Sequence, residues 1–320
     1  MSAQSQPQPA PGTGKPVRRV TVSDIAKMKA AGERIAMLTA YDYPTARIVD
    51  EAGVPMILVG DSLGMVMLGY EETVRVTMDE MLHHTKAVVR GTRRSLVVGD
   101  MPFMSYGVNV EHSLANAARF ISEAGAQAVK VEGGVRSAHT IEEIARAGIP
   151  VMGHIGLTPQ SVHGLGGHRV QGKSVESARK LLADAFAVQE SGAFAVVLEL
   201  VPAELAAAVT ERLKIPTIGI GAGAGCSGQV QVITDLLGLT YGFIPRHAKQ
   251  YEHLAARMTE AISAYAADVA AGTFPTAEHS SSMDAAVLAE VLGTGDMDRA
   301  ALARAAAMMS DEPIPLDRDL

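Results

Sequence analysis

Residues Met56–Gly64 read MILVGDSLG. Four apolar residues after Pro55 run straight into Gly60, Asp61 and Ser62, the pattern of a strand buried on both faces that stops at a carboxylate. Such strands belong to parallel sheets, whose C-terminal loops hold ligands. The pattern recurs at Leu96–Pro102 as LVVGDMP, with Asp100 in the place of Asp61. Two strands of one sheet that end alike put two carboxylates on one rim.

Outward from there, one unit repeats. Candidate strands are Ile35–Ala40, Met56–Gly60, Ser95–Gly99, Ala126–Val131, Val151–Ile155, Phe194–Leu200, Thr217–Ile220 and Val230–Thr234. Helical patterns separate them. Thr77–Arg90 opens on the capping box Thr77-Met-Asp-Glu80, and Asn109–Ala124 starts at an Asn cap. Thr140–Ala147 and Ser174–Ser191 stop at Gly148 and Gly192, while Pro202–Leu213 starts on proline. A helix over Thr21–Gly32 precedes the repeat, and a long one over about His247–Ala271 closes it. Eight such units across about 240 residues predict an α/β fold of the (β/α)8 TIM-barrel kind, a doubly wound open sheet being the competitor. Polar residues at so many strand ends favour the barrel, where they converge on one mouth. The domain plan is a disordered tail over 1–17, rich in Pro, Gln, Gly and Ser, a catalytic barrel over 18–280, and a C-terminal extension over 281–320, partly helical or disordered.

Composition narrows the function. Across 320 residues, 28 Lys and Arg face 35 Asp and Glu, a net charge of −7, which argues against a nucleic-acid surface. Cys226 is the single cysteine, so no intrachain disulfide can form and a reducing compartment is expected. No apolar run reaches the roughly 18 residues of a membrane span, and the N-terminus lacks the apolar centre of a signal peptide. The expectation is a cytoplasmic protein acting on small molecules, with no nucleic-acid or membrane partner.

The strand ends carry the chemistry. Asp42 follows the first, Asp61 and Ser62 the second, and Asp100 the third; Lys130 and Glu132 close the fourth, His154 lies in the fifth and Glu199 in the sixth. A single strand-end Asp is often a helix cap, a Lys–Glu pair two residues apart can be a structural ion pair, and a lone His can be a satisfied core residue. Together, charged residues inside apolar strands are costly unless paired or bound to metal. Asp61 and Asp100 suit a divalent ion, since Mg²⁺ takes one or two carboxylates and leaves sites for substrate and water. Such an ion would hold a 2-oxo acid and stabilise its enolate. Lys130 would offset charge. Glu199, among apolar neighbours, is expected to have a raised pKa and to act as the base, whereas Lys130 should lower that of Glu132. The run GIGAGAG at Gly219–Gly225 is a weak dinucleotide signal, better read as glycines leaving room at the mouth. Four glycines within Ser161–Lys173 suggest a mobile loop over the mouth. Cys226 reads as ordinary, and His83 and His84 as surface or packing residues.

Seven segments also resemble one family: VGDSLGMVMLGYEETVRVTMDEMLHHTKAV from Val59, VVGDMPFMSY from Val97, AVKVEGG from Ala128, IPVMGHIGLTPQSV from Ile149, VLELVP from Val197, GIGAGAGCSGQVQV from Gly219 and FIPRHAKQY from Phe243. In order and spacing, from about Val20 to Ser280, they are similar to the ketopantoate hydroxymethyltransferase family. The resemblance implies a barrel of the phosphoenolpyruvate/pyruvate type that moves a hydroxymethyl group from 5,10-methylenetetrahydrofolate to 3-methyl-2-oxobutanoate. The product is 2-dehydropantoate, for pantothenate synthesis. It implies Mg²⁺ on Asp61 and Asp100, with Glu132 reaching the metal through water. Asp61, Ser62, Asp100, Lys130 and His154 would line the oxo-acid site, Glu199 would be the proton acceptor, and the assembly would be a homodecamer. One departure is Ser227, where the family usually has Asp, which puts a polar contact near the mouth in question. The remaining rival is another Mg²⁺-dependent lyase or aldolase acting on a 2-oxo acid, with Cys226 as a lid-loop acid or nucleophile.

Overall fold

The computed structural model describes residues 18–293. Residues 1–17 and the end of the extension, 294–320, lie outside the described residues, and with them the expectation of a disordered tail. The described chain separates into two compact units at Met258/Thr259.

The first unit is a closed barrel of eight parallel strands in sequence order. The strands are β1 (Ile35–Thr39), β2 (Met56–Val59), β3 (Leu96–Asp100), β4 (Ala128–Glu132), β5 (Val151–Gly156), β6 (Ala195–Glu199), β7 (Thr217–Ile220) and β8 (Gly228–Gln231). The helices run α1 (Val22–Ala30), α2 (Tyr43–Glu51), α3 (Leu63–Val66), α4 (Met78–Gly91), α5 (Val110–Ser122), α6 (Ala138–Arg146), α7 (Val162–Leu165), α8 (Val175–Glu190), α9 (Ala203–Arg212), α10 (Ile233–Leu236), α11 (Leu254–Ala271) and α12 (Ala285–Leu292). The capping box read from sequence at Thr77 forms, and Thr21 and Ser174 make two more, with Asp24 and Ser177.

Alternation along the strands sorts their residues into two cores. Ile35, Met37, Met56, Leu58, Leu96, Val98, Ala128, Met152, Ala195, Val197, Ile218 and Val230 fill the barrel interior. Ile57, Val97, Val129, Val151, Val196 and Leu198 face the helices. Ile25 of α1 joins the interior set, so α1 plugs the N-terminal end. Lys29 ties the plug down, donating to the carbonyls of Thr210, Leu213 and Ile215 at 3.1, 2.8 and 2.7 Å.

Several expectations are corrected. β8 is Gly228–Gln231, not Val230–Thr234, because Thr39 Oγ1 accepts the Ile233 N–H at 2.9 Å and turns the chain into α10. The last long helix starts at Leu254, not near His247. α2 was not read from sequence; Asp42 is its cap, accepting the Thr45 N–H at 2.8 Å, and is not a site residue. No helix lies between β7 and β8. The connection runs back to the start of β7, where Ser227 pairs with Thr217 through Ser227 N to Thr217 Oγ1 at 3.1 Å. Ser227 and Cys226 therefore sit at the N-terminal rim, away from the mouth. Two glycines of GIGAGAG make room for α9: a Cβ on Gly223 would lie 2.4 Å from Ala203, and one on Gly225 2.6 Å from Ala207, while one on Gly221, just past β7, would meet Leu200 and His247.

In the second unit, Tyr265 and Phe274 meet edge to face with centroids 5.6 Å apart, and Phe274 stacks at a tilt on His279.

Candidate active site

The alternation that fills the interior carries the charged residues inward at the C-terminal rim. Asp100 continues the Leu96–Val98 side of β3, Lys130 and Glu132 the Ala128 side of β4, His154 the Met152 side of β5, and Glu199 the Ala195–Val197 side of β6. Parallel register makes them neighbours, pairing Asp100 with Lys130, Glu132 with His154, and Gly156 with Glu199. Asp61 joins from the loop after β2, where its N–H donates to Asp100 Oδ2 at 3.2 Å.

The cluster is dense and dry. Asp61, Asp100, Lys130, Glu132 and His154 are all at most 5% exposed. Lys130 Nζ lies 2.6 Å from Asp100 Oδ1 and 3.8 Å from Glu132 Oε1. His154 stands between two glutamates, its Nδ1 3.2 Å from Glu132 Oε1 and its Nε2 3.2 Å from Glu199 Oε2. The side chain of Glu199 keeps 17% exposure, which opens it to the mouth. Its neighbours are not all apolar, as its sequence context suggests, because β5 brings His154 against it. Ser62 Oγ is 2.9 Å from the phenol of buried Tyr41.

Burial pushes Asp61 well above the usual carboxylate range, and the Asp100 charge adds to this against Lys130. Asp100 is raised too, by burial and by Glu132, with Lys130 opposing. Burial would lower the Lys130 ammonium, but Asp100, Glu132 and Asp61 outweigh it and keep it charged. Burial would raise Glu132, yet the hydrogen bond and charge of His154, then Lys130, hold it below its usual range. The cation that lowers Glu132 is therefore first His154 rather than Lys130. His154 is pushed up to about 9: burial and Lys130 act downward, and the two glutamates prevail. As imidazolium it lies in ion-pair contact with each glutamate, and its Nδ1 is also 3.3 Å from Lys130 Nζ.

These residues fit a divalent cation. Asp61 and Asp100 are buried close together, joined by the Asp61 N–H, and such carboxylates resist ionising together without a cation. Four carboxylates face two cationic side chains, a formal surplus of two negative charges. Asp100 Oδ1 and Glu132 Oε1 are buried without a well-directed hydrogen bond. Among the described residues no three of His, Cys, Asp or Glu form a ready-made cage. A pair of carboxylates is what Mg²⁺ takes when water and substrate complete its shell.

Two residues not read as site residues belong here. Gln160, in the loop after β5, donates from Nε2 to Asp61 Oδ2 and to the Met101 carbonyl, both at 2.9 Å, and its backbone N–H reaches Glu132 Oε2 at 3.1 Å. Tyr106 donates to Gln160 Oε1 at 2.6 Å and accepts the Glu132 N–H at 3.1 Å. Neither carries charge, so nothing in the sequence flagged them, although both stand within segments that follow strand ends. Across the loop over Ser161–Lys173, His163 Nε2 lies 2.8 Å from Glu72 Oε2. His84 Nδ1 meets the Tyr41 carbonyl and so is a packing residue. A cavity of about 670 Å³ near Arg34, Cys226, Gln229 and His247 flanks the β7–β8 connection and includes none of the charged cluster.

Comparison with known proteins places the chain among relatives over most of its length. A relative from Chloroflexus aurantiacus, 3-methyl-2-oxobutanoate hydroxymethyltransferase, is 63% identical over 278 residues, covering 87% of this chain and 98% of its own. The enzyme of that name from Dehalococcoides mccartyi is 58% identical over 273 residues, covering 85% and 98%. Among solved structures, oxaloacetate acetylhydrolase with its product oxalate superposes with a TM-score of 0.53 at 13% identity, covering 92% of this chain and 98% of that one. Phosphonopyruvate hydrolase with oxalate and Mg²⁺ does so with a TM-score of 0.52 at 12% identity, covering 91% and 99%. These two likenesses show the barrel fold. The sequence model described as ketopantoate hydroxymethyltransferase matches residues 19–277, and with these relatives it shows that the chain belongs to the ketopantoate hydroxymethyltransferase family.

Proposed function

We propose that this chain is a 3-methyl-2-oxobutanoate hydroxymethyltransferase, moving a one-carbon unit from 5,10-methylenetetrahydrofolate to 3-methyl-2-oxobutanoate to give 2-dehydropantoate. The observation that carries the reading is the contact of Asp61 with Asp100 on the rim that also holds Lys130, Glu132, His154 and Glu199, within a chain-long family match. Asp61 and Asp100 would hold Mg²⁺, with Glu132 behind them; when bound, the ion supplies Lewis-acid stabilisation of negative charge developing on the oxo acid.

The chain's own groups do the rest. Ser62 and Lys130 orient the oxo acid, and the ammonium offsets its carboxylate. Glu199, the most open carboxylate of the set, accepts the proton from C3. His154 holds Glu199 from behind through the 3.2 Å contact and fixes the carboxylate's direction. In net terms, the bond from C3 to the methylene carbon forms as both C–N bonds of the methylene bridge break; water supplies the hydroxyl group, and tetrahydrofolate leaves with its two nitrogens protonated by the C3 proton and the second proton of water. The low exposure of the cluster keeps bulk water from the carbanion-like centre.

The lyase rival loses its nucleophile. Cys226 is buried beside β7 at the opposite rim, and burial pushes its thiol up. The deciding experiment is product formation from 3-methyl-2-oxobutanoate with and without methylenetetrahydrofolate and Mg²⁺. Turnover that needs both supports the reading, and carbon–carbon cleavage without folate overturns it.

A homodecamer and a cytoplasmic location complete the proposal. Met258, Ile262, Tyr265 and Val269 make one exposed apolar stripe on α11, which fits an oligomer. No helix of the described residues is long and apolar enough to cross a membrane. A monomeric mass by light scattering at micromolar concentration would remove the assembly claim and leave the chemistry.

A further inference from the structure

We infer that Gln160 is a positioning residue for the metal carboxylate Asp61, and that Tyr106 fixes the orientation of the Gln160 amide. The inference rests on the Mg²⁺ reading of Asp61 and Asp100. Gln160 is 5% exposed and every polar group it carries toward the site is committed. Both Nε2 protons are spent, one on Asp61 Oδ2 and one on the Met101 carbonyl, each at 2.9 Å. Oε1 takes the Tyr106 hydroxyl at 2.6 Å. The backbone N–H takes Glu132 Oε2 at 3.1 Å, and the Glu132 N–H in turn donates to the Tyr106 oxygen at 3.1 Å. Four hydrogen bonds thus join the ends of β2, β3 and β4 to the loop after β5, and a fifth ties β4 to the segment after β3.

The direction of the amide follows from its partners. Turned over, Oε1 would face two acceptor oxygens and Nε2 would lose both. The Tyr106 oxygen already accepts the Glu132 N–H, and its hydroxyl proton is directed at Oε1. Asp61 Oδ2 is therefore occupied by a fixed donor, leaving Oδ1 for a cation. An uncharged amide suits this task. A Lys or Arg in its place would neutralise Asp61 and compete with the metal, whereas an amide orients the carboxylate and leaves its charge available. Partners that hold a metal ligand from behind typically govern about 10–100-fold in metal affinity.

The test is calorimetric titration of MgCl₂ into wild type, Gln160→Met, Tyr106→Phe and Asp100→Asn, with melting temperatures recorded without metal. Gln160→Met keeps side-chain volume and removes the amide. We expect its Mg²⁺ affinity to fall about 10–100-fold, and the Mg²⁺ concentration giving half-maximal turnover to rise by a like factor. Tyr106→Phe, which does not touch Asp61, should shift both in the same direction by less. Mg²⁺ affinity within twofold of wild type in both variants, with only the melting temperature lowered, would make Gln160 a structural tie and overturn the inference. Equal affinity in wild type and Asp100→Asn would instead show that Mg²⁺ is not held by this carboxylate pair. That result would remove the metal reading and, with it, the role of Gln160.

Discussion

The backbone N–H of Asp61 donates to the carboxylate of Asp100 at 3.2 Å, so the end of β2 is fastened to the end of β3 by a side chain of the site itself. Asp100 also meets Lys130 Nζ at 2.6 Å, which carries the linkage on to β4. The same carboxylate thus serves geometry and charge.

We expect Asp61→Asn and Asp100→Asn each to abolish Mg²⁺-dependent turnover while circular dichroism keeps the wild-type spectrum, because the amide preserves shape and removes charge. Asp100→Ala should do more damage. It leaves Lys130 buried without its nearest partner, at a cost of about 3–5 kcal/mol in unfolding free energy. Full turnover in either amide variant would sink the assignment.

Glu199→Gln should still bind Mg²⁺ and oxo acid. Solvent deuterium incorporation at C3 of 3-methyl-2-oxobutanoate should fall by roughly two to four powers of ten, the range of a positioned base. Wild-type exchange in this variant, with exchange lost in Glu132→Gln, would reverse the two roles.

Asp50 offers a pH-dependent test away from the site. Its carboxylate accepts the N–H groups of Arg93, Arg94 and Ser95 at 3.0, 2.9 and 2.7 Å, and the Ser95 hydroxyl at 2.9 Å. Burial acts upward on Asp50, but these bonds win and hold it below the usual range. A carboxyl lowered by folding stabilises fully above its unfolded value of about 3.9, and that contribution disappears as pH falls through the folded value. Asp50→Asn should cost about 1–3 kcal/mol at neutral pH and flatten the acid side of the stability profile. An acid limb unchanged from wild type in urea titrations would refute this.

Gly99 precedes Asp100, and a Cβ there would lie 2.3 Å from Phe120 Cδ1 of α5. Gly99→Ala must move the Phe120 ring or the strand, with a stability cost of about 1–3 kcal/mol. Calorimetry should show the lowered melting temperature, and a shift of β3 should also lower turnover. An unchanged melting temperature would mean that the ring yields freely.

The barrel was legible because its units repeat, and the charged rim because Lys130 and Glu132 stand two apart in one strand. Asp42 shows the limit of that reading: a strand-end Asp with a threonine three residues on is a cap, while Asp61, with Leu63 and Gly64 after Ser62, caps nothing. The surroundings of Glu199 were hidden because His154 arrives from another strand through register. Gln160 and Tyr106 were hidden because neutral donors leave no charge pattern. The β8 boundary was missed because its start is set by pairing with Ile35, nearly two hundred positions away.

That last pairing bears on how the molecule is made. Helix α1 is synthesised before every strand of the barrel, yet the wall it plugs is complete only when β8 meets β1. Its Lys29 anchors lie on carbonyls between Thr210 and Ile215, synthesised far later. The plug must wait for nearly the whole ring, so closure is a late event of high sequence separation, and such events slow folding. Until then the interior Met and Ile side chains stay open at the bottom, and transiently exposed apolar surface of this kind favours association.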